Sequence, residues 1–237
     1  MEKVSIIIPF YNCAYVDRAI KCALAQTYEN IEVIVVNDGS KVNEEKLTPF
    51  LNKVRYIKKG NGGTGSALNT GIRAATGKYF SWLSSDDLYR PDKVEKQLNF
   101  MKQHQASVSY SNYVLIDEND KPKSGNVGVS FPNRLQFYKT LKAGCPINGC
   151  TVMMKMDIFQ EVGLFDESLS YAQDYDLWLR VVQKYDFHYV EEPLVFYRVH
   201  GEMGTKKHAT DIPREIQLVR NRYRKSILDL ILRETTP

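Results

Sequence analysis

The chain has 237 residues, with 32 lysines and arginines against 28 acidic residues and a formal charge of +4. Hydrophobic residues make up 43% and charged ones 25%, values that exclude a disordered chain, a collagen-like fibre and a disulfide scaffold. So mild a positive surplus gives no ground for a nucleic-acid partner.

Residues 4–8 (VSIII) are a β-branched apolar run stopped by Pro9, which predicts a buried strand. Residues 16–25 predict a helix with Ala19, Ile20, Ala23 and Leu24 on one face. Residues 31–36 (IEVIVV) are a second strand, ending in the turn signal Asn37-Asp38-Gly39-Ser40. A short helix over 44–51 and a third strand over 54–57 follow. The glycine-rich 60–65 then opens a helix over 66–75, and 79–83 (YFSWL) is a fourth strand ending in Ser84-Ser85-Asp86-Asp87. Beyond it the pattern predicts a helix over 93–103, a strand over 108–116 and a polar hairpin or loop over 117–130. A helix over 174–182, a last strand over 192–197, a polar loop over 206–211 and a long helix over 216–232 complete the chain. Strand and helix alternate at the spacing of an α/β domain with a mainly parallel sheet.

Such sheets bind ligands at the carboxyl ends of their strands, and polar residues concentrate at three of those ends: 9–12, 37–40 and 84–87. The four cysteines, Cys13, Cys22, Cys145 and Cys150, form no C-x-x-C pair and read as reduced thiols of a cytosolic protein. Met1-Glu2-Lys3 runs straight into a strand too short for a signal peptide's apolar region, and no apolar run approaches the ~18 residues of a membrane span.

Taken singly, the motifs stay ambiguous. Gly60, Gly62 and Gly65 fit G-x-G-x-x-G, but after the third strand rather than the first, so a glycine turn opening a helix competes with a dinucleotide site. Asp86 and Asp87 are adjacent carboxylates with no His or Cys nearby in sequence. They suit Mg²⁺ or Mn²⁺, or an N-cap before the helix at 93. Asp38 fits a simple Asx turn. Asp174 and Asp176 open a helix, where the dipole favours carboxylates. They point about 200° apart, so a cap-sized cost of ~1 kcal/mol is expected for Asp176→Asn. No G-x-S-x-G and no Cys/His ligand spacing supports Ser-His-Asp or zinc chemistry.

Five blocks in order change this: Ser5-Ile-Ile-Ile-Pro-Phe-Tyr-Asn12, Val36-Asn-Asp-Gly-Ser40, Asn61-Gly-Gly-Thr-Gly-Ser-Ala-Leu-Asn-Thr-Gly71, Ser85-Asp-Asp-Leu-Tyr-Arg-Pro91 and Gln173-Asp-Tyr-Asp-Leu-Trp-Leu-Arg180. Over roughly residues 3–200 the chain resembles the family 2 glycosyltransferases, inverting enzymes of GT-A fold that use nucleotide-diphosphate sugars. The resemblance implies a single domain over 1–205, with a nucleotide-sugar half to about 105 and an acceptor half beyond. Residues 206–237 form a C-terminal loop and amphipathic helix. It places Pro9 and Tyr11 at the nucleobase, Asp38 on the base (usually uracil) and Gly63 and Asp86 at the donor. Asp86 and Asp87 fall on the metal motif holding Mn²⁺ or Mg²⁺, with His200 in a late motif that contacts metal or diphosphate. Asp174 falls on the catalytic base. Ser84, Gln173 and Leu68 depart from the Asp, Glu and Arg common at those positions.

The implied partners are a nucleotide-diphosphate sugar and a glycan, lipid-linked or protein acceptor, in surface polysaccharide, lipopolysaccharide or glycoprotein assembly. A cytoplasmic site is expected, with peripheral contact at the inner face of the membrane. Arg220, Arg222, Arg224 and Lys225 on the terminal helix would serve that contact or a homodimer, against plain packing with solvated charges outside. Three other classes stay open, among them an NAD-dependent enzyme, which the residues after the first strand disfavour. A sugar-phosphate nucleotidyltransferase should carry a glycine-rich loop where Pro9-Phe-Tyr-Asn12 stands, and a non-catalytic nucleotide-sugar-binding module should bind without turnover.

Overall fold

A computed structural model describes residues 1–235. Strand β1 (Val4–Phe10) is followed by helix α1 (Val16–Leu24), β2 (Ile31–Asp38), a 3-10 turn (Glu44–Phe50) and β3 (Arg55–Lys59). Helix α2 (Gly63–Ala74), β4 (Tyr79–Trp82), the two-residue β5 (Leu88–Tyr89) and α3 (Lys93–Gln103) complete the first half. The second half runs β6 (Val108–Ile116), β7 (Pro122–Val127), α4 (Arg134–Ala143), a 3-10 turn (Gly149–Thr151), β8 (Met153–Lys155) and α5 (Ile158–Val162). It ends with α6 (Gln173–Val181), β9 (Phe187–Arg198), α7 (Gly204–Lys207) and α8 (Ile212–Arg233). Residues 236–237, the end of the expected C-terminal segment, lie outside the described residues.

Among the described residues one sheet runs in the order β3-β2-β1-β4-β8-β6-β9-β5, with β7 paired to β6 off that path. The β1, β2, β3 and β4 pairings are parallel, as is the long β6–β9 pairing. The shorter β4–β8, β6–β8, β5–β9 and β6–β7 pairings are antiparallel. The fold is therefore the expected mixed, mainly parallel α/β sheet flanked by helices.

Burial explains the strand sequences. Ile6, Ile7 and Ile8 are wholly buried between helices on both faces, which is why β1 shows no polar alternation. Each such side chain contributes roughly 1.5–3 kcal/mol. Helix α1 buries Val16, Ala19, Ile20 and Ala23, the stripe its sequence predicts.

Pro9 does not end β1, as its sequence suggested; it pairs with Val36 inside the strand. Val4 N–H bonds Asn30 O toward β2, and Leu83 N–H bonds Ile7 O from β4. Odd residues of β1 thus face β4, which has left the sheet before Pro9, so the missing N–H deprives no partner. That divergence of β1 and β4 opens the cleft described below.

The second half departs most from expectation. Helix α4, strands β5 and β8 and helix α5 lay in stretches with no predicted element. The last strand begins at Phe187, five residues early, because its first half pairs with the start of β6. The expected loop at 206–211 contains the end of α7. Helix α8 packs Val219, Ile227 and Leu230 on α4 and α6. Arg222 is not on a free polar side: it bonds Asp166 and Asp176. All four cysteines are unpaired. Among the described residues no helix is long and apolar enough to cross a membrane.

Candidate active site

A cleft of about 820 Å³ opens at the carboxyl ends of β1, β2 and β4. Its walls include every residue to which the family resemblance gave a role: Pro9, Tyr11, Asp38, Gly63, Asp86, Asp87, Asp174 and His200. Tyr11, just past β1, is 52% exposed, a large aromatic surface turned to an open site.

Asp38 ends β2 and is buried. The Asx turn expected of it is made by Asn37 instead, whose Oδ1 accepts from Ser40 N at 2.8 Å. Asp38 reaches across to the glycine loop. Its Oδ1 accepts from Lys59 Nζ at 2.7 Å and Gly62 N at 3.0 Å, and its Oδ2 from Gly63 N at 2.8 Å. The carboxylate therefore anchors the start of α2. Two glycines make this possible. Gly39 turns at φ +78° with the Asn61 backbone where a Cβ would stand, and Gly63 enters α2 at φ +85°. The G-x-G-x-x-G pattern thus belongs to a turn fastened by Asp38.

The acidic turn divides its two carboxylates. Asp87 is buried, with Oδ1 accepting from Arg198 N at 2.8 Å and Oδ2 from the Cys150 thiol at 3.3 Å. Burial, and then Asp86 beside it, hold its carboxyl well above the usual range. Asp86 is half-buried and meets His200 Nε2 at 3.0 Å. Neither acts as the N-cap of α3, whose cap position is Asp92.

Arg198, which sequence reasoning missed, holds this corner. It is fully buried, donates from Nε to Asp86 O at 2.7 Å and from Nη1 to Asp117 O at 2.8 Å, and stacks 4.4 Å from the Tyr15 ring. Tyr15 in turn meets the His200 ring edge-on at 5.1 Å. The Ser84 hydroxyl shares a hydrogen bond with Cys150 Sγ at 3.0 Å. Beneath the turn, burial pushes Lys93 down to about 7, where its amine donates to Ser81.

Among the described residues no group of three or more His, Cys, Asp or Glu side chains forms a metal cage. Asp86 and His200 nonetheless fit a divalent ion that takes its remaining ligands from phosphate and water. Mg²⁺ and Mn²⁺ sites of that kind use only one or two protein donors.

Helix α6 carries Asp174, another residue of the cleft lining, as its second residue. Burial pushes its carboxyl up to about 6, against the opposing pull of the Tyr175 and Asp174 backbone N–H groups. Asp176 points the other way. It is buried against Arg180 Nε at 3.0 Å, Arg222 Nη1 at 2.6 Å and Tyr223 OH at 3.0 Å, and it makes no cap. Gln173 is buried with Oε1 unpartnered. Leu68 is wholly buried on α2, where an arginine would lack water.

The model of Glycosyl transferase family 2 matches residues 5–163. A protein of Rickettsia felis named an uncharacterized glycosyltransferase is 45% identical over 216 residues, covering 86% of this chain and 35% of its own length. This chain thus spans about a third of that relative. The Escherichia coli protein named UDP-Glc:alpha-D-GlcNAc-diphosphoundecaprenol beta-1,3-glucosyltransferase WfaP is 32% identical over 196 residues, covering 78% of this chain and 72% of that one. Among solved structures, S. aureus TarS 1-349 in complex with UDP-GlcNAc superimposes with a TM-score of 0.70 at 18% identity, over 85% of this chain and 60% of that one. Its UDP complex gives 0.68 at 19% identity, over 83% and 60%. The likeness to TarS shows the shared GT-A fold. With two thirds of its length under one family model, the chain belongs to glycosyl transferase family 2.

Proposed function

We propose that this domain transfers a sugar, with inversion, from a UDP-sugar to a hydroxyl of a lipid-linked glycan in surface-polysaccharide or lipopolysaccharide assembly. One observation carries the reading: a single cleft is lined both by an acidic turn with its histidine and by a carboxylate that burial raises to about 6. The WfaP name, which specifies a diphosphoundecaprenol-linked sugar, supports the acceptor class. Such an acceptor would bring the protein to the inner face of the membrane.

Tyr11 and Pro9 stack and border the nucleobase, while Asp38 at the end of β2 and Gly63 on the loop it anchors border the donor. Asp86 and His200 would hold Mn²⁺ or Mg²⁺, with Asp87 fixing the turn from behind. When bound, the ion would offset the negative charge that grows on the UDP leaving group. Asp174 accepts the proton of the acceptor hydroxyl as its oxygen bonds the anomeric carbon and the bond to the diphosphate breaks. Residues up to about 105, with His200, supply the donor side and 106–205 the acceptor side, which the segment from 206 braces.

Asp86→Ala should keep the fold and lose metal-dependent UDP binding. Turnover should fall by several kcal/mol of barrier, roughly 10²-fold or more. Asp87→Ala should instead lower the thermal midpoint, because it orphans the Arg198 N–H. UDP titration with and without Mn²⁺, and UDP release from a panel of UDP-sugars, test this. Full turnover in excess EDTA sinks the metal assignment. Metal-dependent UDP binding without turnover on any acceptor would leave a binding module.

A further inference from the structure

We infer that Glu215, on α8, is a positioning residue for the base: it braces from outside the loop that delivers Asp174. This rests on the reading of Asp174 given above. The carboxylate of Glu215 accepts from three consecutive backbone N–H groups, Ser170 at 2.9 Å, Tyr171 at 2.7 Å and Ala172 at 2.9 Å. Those residues lead directly into α6, and Asp174 follows two positions later.

The need for such a brace is local. The first N–H groups of a helix have no partner inside it. A Ser, Thr, Asp or Asn cap with a Glu three residues on usually supplies acceptors. Here the cap position is Ala172, which has no acceptor, and the third helical residue is Tyr175, whose hydroxyl bonds Leu141 O instead. Glu215, 43 residues away, fills the place of the missing capping glutamate.

The same helix grips α6 a second time. Arg222 Nη1 and Tyr223 OH bond Asp176, two residues after the base, and Arg222 also bonds Asp166 at 2.7 Å. Asp174 is thus bracketed at 172 and 176 by contacts from α8, while its own carboxylate faces the cleft. Tyr171 adds a third tie, its hydroxyl 2.9 Å from His208 Nδ1 with the rings stacked at 4.6 Å. The family match ends at residue 163, before any of these residues.

A base displaced by about 1 Å loses roughly 10²-fold in rate. Glu215→Ala is therefore expected to lower kcat by about 10-fold to 100-fold with UDP affinity within about twofold of wild type. Amide hydrogen exchange at 170–172 should accelerate, and Glu215→Gln, which keeps one acceptor oxygen, should recover part of the rate. Ile227→Ala is the control. It removes buried packing of α8 far from residues 170–172, so it should lower the thermal midpoint and leave kcat unchanged when assayed well below that midpoint. Wild-type kcat in Glu215→Ala, or an equal loss in Ile227→Ala, overturns the inference. Unchanged exchange at 170–172 beside an inactive Asp174→Asn overturns it alone. A fully active Asp174→Asn would instead remove the base assignment and the positioning role with it.

Discussion

Asp174→Asn should bind UDP and metal as the wild type does and turn over roughly 10²-fold to 10⁴-fold more slowly, the scale of a positioned proton transfer. The substitution keeps the shape of the side chain and removes only its basicity. The proposed donor contacts, Tyr11, Asp38 and Asp86, are other residues of the cleft lining, so UDP affinity tests donor binding separately from the proton transfer. Sugar transfer and UDP titration on the same preparation separate the two. Near wild-type transfer by the variant would mean another group takes the proton.

The raised carboxyl of Asp174 adds a pH signature. With the folded group titrating at about 6, kcat should rise with pH through that value and level off above it. The linkage to stability has the opposite sense. The folded state holds this proton more tightly than the unfolded one, so the favourable contribution is complete below about 4 and is lost as pH rises through about 6. Above that, the ionised carboxylate costs about 2 kcal/mol, after allowing for its partial exposure. Asp174→Asn removes this cost. It should unfold no earlier than wild type at pH 7.5, and its stability should lack the wild type's decline between pH 4 and 6. Denaturant midpoints across that range check the sign; a variant markedly less stable at pH 7.5 would mean its lost activity reflects unfolding.

What the sequence made legible was whatever depends on neighbours along the chain. The apolar run of β1, the helical stripe of α1 and the polar strand ends at 37–40 and 84–87 are local patterns, and each appears where periodicity put it. Helix α4 was also readable. Asn133 followed by Gln136 is a capping pattern, and Asn133 Oδ1 does accept from Gln136 N at 2.9 Å, ahead of a stripe of Phe137, Tyr138 and Leu141. Strand β8 was not, because three residues carry no period and their strand state comes from lying between β4 and β6. The roles of the carboxylates divide the same way. Asp38 fits an Asx turn, yet its partners lie 21 to 25 residues away, at the end of β3 and on the glycine loop. Asp86 and Asp87 are chemically identical until Arg198, more than 110 residues on, takes one of them inside.

Asp176→Asn is expected to cost about 3 kcal/mol of stability, well above the ~1 kcal/mol of a lost helix cap. A carboxylate in the first turn of a helix invites the dipole explanation, and Asp176 makes no such contact. Its two oxygens meet the guanidiniums of Arg180 and Arg222 and the Tyr223 hydroxyl, in a pocket that leaves the carboxylate 1% exposed. Converting it to an amide removes the negative charge that joins the two arginines, leaving Arg222 with Asp166, and turns an N–H₂ toward one of them. Breaking a buried pair from one side costs about 3–5 kcal/mol. The lower end applies because the Arg222 side chain is 39% exposed and water can take over part of its charge. For a chain of this size that corresponds to a fall of about 6–12 °C in the thermal midpoint. Per folded molecule the variant should keep turnover within about tenfold of wild type, since its side chain faces α8 rather than the cleft. The pair of variants then reads as a crossed result, with Asp174→Asn stable and slow and Asp176→Asn active and heat-labile. A stable, inactive Asp176→Asn beside an active Asp174→Asn would exchange the roles of the two carboxylates.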